Sequence, residues 1–286
     1  MSQWSGWAYP RTLDEAMALL QQDDPPWEPI AGGTSWAFRR SGQEGGLMDL
    51  SRLPWREVLA EEGTLRLGAL LSVEELRRSL PVRDRAPLLQ ETAESIRPHQ
   101  LRNAITLGGN VVQVFAWSDF PVALLALGAT LHVATPPVGL EQQVPADDFF
   151  ASHPRRRLEG RLLTGVTVPA RRPGRGGAFL KFARSRVDLA LATAAATVEA
   201  VDGLVVAARV VVGAVRGLPL RLARVEEALL GRPVDDPALP GVAVALAREG
   251  VTPVQDLRVS KDYRAQVASV LVGRVTARAL ARAAEG

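Results

Sequence analysis

Ile105-Thr-Leu-Gly-Gly-Asn-Val-Val-Gln113 interrupts an apolar run with threonine, a double glycine and asparagine. Gly-Gly pairs commonly turn the chain, because glycine takes positive φ without steric penalty. The same freedom lets backbone present N–H groups, unobstructed by Cβ, to an anion such as a phosphate. A second stretch of the same character, Ala31-Gly-Gly-Thr-Ser-Trp36, lies earlier in the chain. Thr34, Ser35, Thr106 and Asn110 add side-chain donors to the two Gly-Gly pairs. Taken singly, each pair reads as a tight turn; the repetition in successive α/β units brings a diphosphate cradle level with that reading. Neither stretch fits G-x-G-x-x-G or G-x-x-x-x-G-K-[ST], which disfavours a standard Rossmann or nucleoside-triphosphatase site. Spacing alone does not say to what molecule the diphosphate belongs.

Thr12 reads as the N-cap of a helix whose face carries Leu13, Ala16, Met17 and Leu20, with Glu15 three residues after the cap. A short strand approaching Ile30, the first Gly-Gly turn, a short helical run and a strand at Leu47–Leu50 follow. Thr64–Ala69 alternates as a strand, and Ser72-Val-Glu-Glu75 opens a helix with a second capping box. Further helices are expected at Leu88–Ser95 and Phe120–Leu127, and strands at Thr130–Ala134 and Leu162–Val168. Arg171-Arg-Pro-Gly-Arg-Gly-Gly177 has the composition of a linker. Beyond it the sequence predicts strands near Ala190–Ala200 and Leu204–Val212, then helices at Leu222–Leu230, Gly241–Glu249 and Ala265–Ala284. That pattern is α+β, a small sheet followed by helices.

The chain has 286 residues, enough for two or three domains with a sizeable core. It is 47% hydrophobic and 23% charged, an ordinary globular balance, and no apolar run approaches the roughly 18 residues a membrane span needs. The opening MSQWSGWAYPRTLDEA lacks a basic segment followed by an apolar core, so the expected location is the cytoplasm. Cysteine is absent, which excludes disulfides, thiolate nucleophiles and cysteine-held clusters within this chain. His99, His132 and His153 show no ligand spacing, so no metal site is expected. The formal charge is +3, and of 34 basic residues only Lys181 and Lys261 are lysines. The arginines are too diluted by acids to form a nucleic-acid footprint.

These motifs resemble the FAD-binding medium subunit of the molybdenum hydroxylases, the family of xanthine dehydrogenase and aerobic carbon monoxide dehydrogenase. That family carries A-G-G-[TH]-S and R-N-x-x-T-[IL]-G-G-N, with S-D following the second motif. Here they read Ala31–Ser35, then Arg102-Asn103 and Thr106–Asn110, then Ser118-Asp119. Tyr9–Ala16, Leu162–Pro169, Phe179-Leu-Lys181 with Asp188-Leu-Ala190, Val211–Ala214, Pro219–Arg221 and Tyr263-Arg264 also fit family elements, so the resemblance spans essentially the whole chain.

The resemblance implies an α+β architecture: a two-lobed FAD-binding fold of the vanillyl-alcohol-oxidase type, in two small α/β subdomains at 1–60 and 61–172. A C-terminal α+β domain at 178–286, with a small antiparallel sheet and helices, would follow. It further implies that Ala31, Gly32, Gly33, Thr34, Ser35 and Trp36 embrace the FAD diphosphate together with Thr106, Gly108, Gly109 and Asn110, through N–H groups and hydroxyls. Asp119 would bind the flavin's sugar-alcohol portion, Leu163 would pack near the isoalloxazine, and Lys181 would sit beside that ring and tune it. An ammonium there would stabilise the negative charge of a reduced flavin. The implied partners are a large subunit with the molybdenum cofactor and a small subunit with two [2Fe-2S] clusters, in a dimer of heterotrimers. Electrons would leave for NAD or another acceptor.

Departures from the pattern are Ala116-Trp117 where the family often has Pro-Ala, and Arg161 where an acidic residue is usual. Two other readings stay open on the residues alone. One is a self-contained flavin oxidoreductase of related fold, for which residues 178–286 offer no evident acid or base. The other is an assembly subunit that has lost its flavin.

Overall fold

The computed structural model describes residues 4–35, 45–137 and 139–285. The first unit runs β1 (Trp4–Ala8), α1 (Leu13–Leu20), β2 (Trp27–Ile30) and β3 (Gly45–Asp49), with a parallel sheet ordered β1-β3-β2. Thr12 caps α1 as its sequence predicts, its Oγ1 accepting from Glu15 N at 3.2 Å. Ala16 and Met17 from α1 meet Met48, Leu50, Leu53 and Trp55 in a small core, which Leu70, Ala134 and Leu162 of the next unit complete.

The second unit contains β4 (Val58–Glu61), β5 (Thr64–Gly68), α2 (Val73–Arg78), α3 (Leu80–Arg85), α4 (Pro87–Ser95), α5 (His99–Ala104), α6 (Leu107–Gln113) and α7 (Phe120–Leu127). It continues through β6 (Thr130–Thr135), β7 (Leu140–Pro145), α8 (Ala146–Phe149), α9 (Pro154–Arg157) and β8 (Leu162–Pro169). Its antiparallel sheet is ordered β4-β5-β8-β6-β7. Every residue of α7 is buried, as a helix with no polar face must be. The predicted capping box on α2 forms in both directions: Ser72 Oγ accepts from Glu75 N at 3.1 Å, and Glu75 Oε2 from Ser72 N at 2.7 Å.

The third unit is β9 (Arg175–Phe182), β10 (Ala192–Val201), β11 (Leu204–Gly213), β12 (Leu220–Arg221), α10 (Ala223–Leu229), α11 (Leu239–Gly250) and α12 (Lys261–Ala284). Its antiparallel sheet, ordered β12-β11-β10-β9, packs on α12 through the short side chains of Ala192, Ala194 and Ala196. The expected linker at Arg171–Gly177 is shorter than its composition suggests. Gly174, at φ +72°, makes the turn, while Gly176 and Gly177 already pair with Val198 and Thr197 in the sheet. β1, β4 and β7 were not expected either; β7 reads Leu-Glu-Gln-Gln-Val-Pro and lacks an alternating apolar face. Among the described residues no helix is long and apolar enough to cross a membrane.

Ionic contacts hold the third unit against the second. Asp147 accepts from Arg209 at 2.8 Å and Arg221 at 2.7 Å. Glu91, on α4, accepts from the Phe179 backbone N–H and from the Arg282 guanidinium, which itself donates to the Gly177 carbonyl. Glu91 thereby fixes the height of β9, the strand that carries Lys181.

Glu74 anchors the helical layer beneath the cleft described below. Its buried carboxylate accepts from Arg77, Arg78 and Arg102, and Arg102 also donates to the carbonyls of Ile96 and Arg97. The hydrogen bond from Arg77, joined by those from Arg102 and Arg78, outweighs burial and holds the carboxyl well below the usual carboxylate range. A depressed folded pKa contributes stability that is present above the unfolded value of about 4.3 and lost as pH falls through the folded one. Glu74→Ala is therefore expected to lower stability by about 2 kcal/mol near neutral pH, since it removes the acceptor of the part-buried Arg77 and Arg102 guanidiniums. The difference from wild type should shrink in acid; thermal melts at several pH values measure it, and a pH-independent gap would contradict this account.

Candidate functional site

The Gly-Gly pair of ITLGGNVVQ is neither a turn nor part of a strand. It lies in the first turn of α6, whose N-cap Thr106 accepts from Gly109 N at 3.0 Å through Oγ1. The other early N–H groups are engaged too: Leu107 N donates to Leu71 O, Gly108 N to Ala69 O and Asn110 N to Thr106 O. This differs from the expectation that these amides are open to a phosphate. Glycine is required at 108 for packing, because a Cβ there would lie 2.9 Å from both the Cβ and the carbonyl oxygen of Ala69.

The first Gly-Gly pair behaves differently. A Cβ on Gly32 would fall 1.6 Å from the carbonyl oxygen of Ala104, so Gly32 lets the two glycine-rich stretches lie directly against each other. Gly33 has φ +67°, a conformation other residues seldom take. Among the described residues, the N–H groups of Gly33, Thr34 and Ser35 donate to no backbone or side-chain acceptor. The anion-receptive backbone therefore belongs to AGGTS. Trp36, expected to join it, lies outside the described residues.

Past α6 the chain is held for a purpose that Asp119 makes plain. Val114 takes φ +30°, Phe115 N donates to Ser118 Oγ at 3.0 Å, Ser118 N returns to Phe115 O at 2.8 Å, and Asn110 Oδ1 accepts from Phe120 N at 3.2 Å. This closed loop sets Asp119 at the floor of a cleft, where it is 3% exposed. Its Oδ2 accepts from Lys181 Nζ at 2.8 Å and more distantly from Ser95 Oγ at 3.5 Å. Its Oδ1 is buried without any hydrogen-bond partner. Buried carboxylate oxygens are seldom left so, and such an exception calls for an explanation. Burial pushes the Asp119 carboxyl above its ordinary value, opposed by the adjacent Lys181 charge and by hydrogen bonds from Lys181 and Ser95.

The cleft has a volume of about 620 Å³, within the roughly 300–1,000 Å³ usual for small-molecule sites. All the described residues expected at the site line it: Ala31 to Ser35, Thr106, Gly108, Gly109, Asn110, Asp119, Leu163 and Lys181. Leu163, buried on β8, forms apolar wall. Sequence reasoning missed Ser95, Arg155, Arg186 and Leu189, which also line the cleft, and gave Trp117 no role there. Trp117 stacks on Phe115 with centroids 5.0 Å apart and planes at 10°, and the Arg258 guanidinium lies 5.8 Å from its ring. Nothing in their spacing distinguishes Arg155 or Arg186 from the chain's many other arginines. Among the described residues no group of His, Cys, Asp or Glu could hold a metal ion.

Open amides, an unsatisfied buried acceptor, an ammonium and an apolar wall in one cleft define a binding protein for a ligand bearing phosphate, hydroxyl and ring. Residues 2–171 match the family model described as the FAD binding domain in molybdopterin dehydrogenase, and residues 177–279 match the CO dehydrogenase flavoprotein C-terminal domain. The chain belongs to the family of FAD-binding subunits of the molybdenum hydroxylases, and is thus an oxidoreductase component. It is 32% identical over 279 residues to the carbon monoxide dehydrogenase medium chain of Afipia carboxidovorans, covering 96% of each chain. It is equally 32% identical to the 6-hydroxypseudooxynicotine dehydrogenase complex subunit alpha of Paenarthrobacter nicotinovorans, covering 95% of this chain and 93% of that one. A solved carbon monoxide dehydrogenase from Hydrogenophaga pseudoflava superposes with TM-score 0.90 at 30% identity, covering 99% of both chains.

FAD fits the residues present. Its diphosphate needs amide and hydroxyl donors, which Gly33 to Ser35 offer. Its polyol hydroxyls need a buried acceptor, which Asp119 Oδ1 offers, and its ring system needs an apolar wall, which Leu163 offers.

Proposed function

We propose that this chain carries electrons from iron–sulfur clusters on a partner subunit, through FAD bound in the cleft, to NAD or another acceptor. The observation that carries the reading is the buried, partnerless Oδ1 of Asp119, set among the AGGTS amides, Leu163 and Lys181. When bound, the isoalloxazine supplies the redox chemistry. The chain's own residues bind and orient it: Gly33, Thr34 and Ser35 donate to the diphosphate, and Asp119 accepts from a sugar-alcohol hydroxyl. Leu163 gives the ring an apolar wall.

The partners in this reading are a large subunit with the molybdenum cofactor and a small subunit with two [2Fe-2S] clusters, assembled as a dimer of heterotrimers. The names of the relatives support it, one being a medium chain and another a subunit of a complex. Those names also differ in substrate, carbon monoxide against 6-hydroxypseudooxynicotine, consistent with substrate choice residing in another subunit.

Purified chain reconstituted with FAD should retain close to one equivalent, read from flavin absorbance; no binding at micromolar FAD would overturn the reading. In the assembled complex, anaerobic NADH should bleach the flavin absorbance if NAD is the acceptor. An unbleached flavin that other oxidants nevertheless reoxidise would assign a different acceptor.

A further inference from the structure

Lys181 reaches the cleft from β9 in the third unit, whereas Asp119 comes from the loop before α7 in the second. Their 2.8 Å contact is largely withdrawn from water, with side-chain exposures of 16% for Lys181 and 3% for Asp119. A cation this close to a buried anion does not act on a third group as a lone charge. At the distance of a bound ring the two fields oppose each other, and what remains is a dipole, which falls off faster than either charge alone. The sequence-based picture of Lys181 as a bare ammonium favouring reduced flavin is therefore incomplete.

We infer that Asp119 and Lys181 act on the flavin as one charge-compensated unit, in which the carboxylate masks the ammonium and the two residues pull the flavin's midpoint potential in opposite directions. This rests on the proposed FAD site. Asp119 is thus a positioning and masking residue for Lys181 in addition to a ligand for the cofactor. Removing the carboxylate's charge unmasks a cation, which favours the more negative, reduced flavin and raises the potential. Removing the ammonium leaves a carboxylate, which lowers the potential while it stays ionised. A buried carboxyl without its cation readily takes up a proton, so the second effect fades as pH falls.

The other groups facing the pair do not change between variants. Ser95 at the end of α4 donates to Asp119 Oδ2. Arg186 and Asp188 line the cleft from the β9–β10 loop, with Arg97, Arg155 and Arg161 elsewhere on its wall and Glu28 on β2. Their fields are common to every variant compared.

The test is the midpoint potential of FAD in the full chain, measured for wild type, Asp119→Asn, Lys181→Met and the double variant. Asp119→Asn keeps a hydrogen-bonding side chain and is expected to raise the potential. Lys181→Met is expected to lower it at alkaline pH and to converge on wild type in acid, and the double variant is expected to lie near wild type. Shifts of the same sign in the two single variants, or no shift in Asp119→Asn, would overturn the inference. Failure of wild type to bind FAD would instead overturn the proposed function. Should Asp119→Asn fail to hold flavin, the flavin-free Lys181→Met protein decides. Its Asp119 pKa would be raised above the unfolded value of about 3.9, so the associated stability is present below that pH and lost as pH rises through the folded pKa. The stability deficit against wild type should widen between acid and alkaline pH. A constant deficit would show that the charges do not compensate each other.

Discussion

Asp119→Ala is expected to weaken FAD binding about 100-fold, or ~2–3 kcal/mol, the usual size of a lost hydrogen bond to a charged group. Two opposing effects meet at this position. The variant deletes Oδ1, the buried oxygen that lacks a protein partner and that a ligand hydroxyl would satisfy. It also frees the Lys181 ammonium, whose charge attracts a diphosphate. Loss of the acceptor dominates, because alanine, unlike asparagine, leaves no side-chain acceptor to hold the ammonium in the cleft, and on its flexible stem it moves toward water and loses most of its field to hydration. Without FAD the variant should still be less stable, since a charge loses its partner in a largely dry site. Glu249→Ala, which breaks an ion pair with both side chains at least 60% exposed, supplies the control: a stability change within about 0.5 kcal/mol and no change in affinity. Titration of apoprotein with FAD measures both. An Asp119→Ala affinity within threefold of wild type would show that Oδ1 does not receive the ligand.

What the sequence disclosed about this molecule depended on the range of the interaction. Local signals were legible: Thr12 and the Ser72–Glu75 box cap helices where capping chemistry puts them, and the wholly apolar Phe120–Leu127 became a wholly buried helix. The Gly-rich stretches were found, but part of the reason for their glycines was not legible, because tolerance of positive φ, as at Gly33, is a local property while steric exclusion by Ala69 at Gly108 or Ala104 at Gly32 is a tertiary one. Asp119 and Lys181 were each singled out, yet their contact joins residues from different units and leaves no trace in spacing. Ser95 and Arg186 lacked even a motif to mark them. β7 escaped notice because a largely exposed edge strand built from Glu and Gln does not alternate in hydropathy. Short-range capping and periodicity thus foretold the strongly patterned elements, whereas the detailed chemistry of the cleft arises where separate elements meet.

Gly32→Ala is expected to be the most damaging added methyl group among the described glycines, and it tests what the double glycines are for. The added Cβ would stand 1.6 Å from the Ala104 carbonyl oxygen, a backbone atom at the end of α5 that cannot rotate aside. Either the AGGTS stretch or the segment leading into α6 must shift, separating the open amides of Gly33 to Ser35 from the Thr106 cap. A destabilisation of about 3 kcal/mol or more should follow, as for a severe overpacking, together with loss of flavin retention. Gly33→Ala meets only the Ile30 side chain at 3.7 Å but must hold φ +67°, so its expected effect is the milder ~1–2 kcal/mol of a left-handed alanine. Gly241→Ala, in an open position within α11, should be neutral or stabilise by up to about 1 kcal/mol. Chemical denaturation ranks the three, and FAD titration of the folded variants separates packing from binding. If Gly32→Ala proved as stable as wild type yet lost FAD, the glycine would be making room for the ligand itself. Loss of both together means that Gly32 serves the diphosphate indirectly, by letting two backbone segments touch so that the amides beside it stay in place.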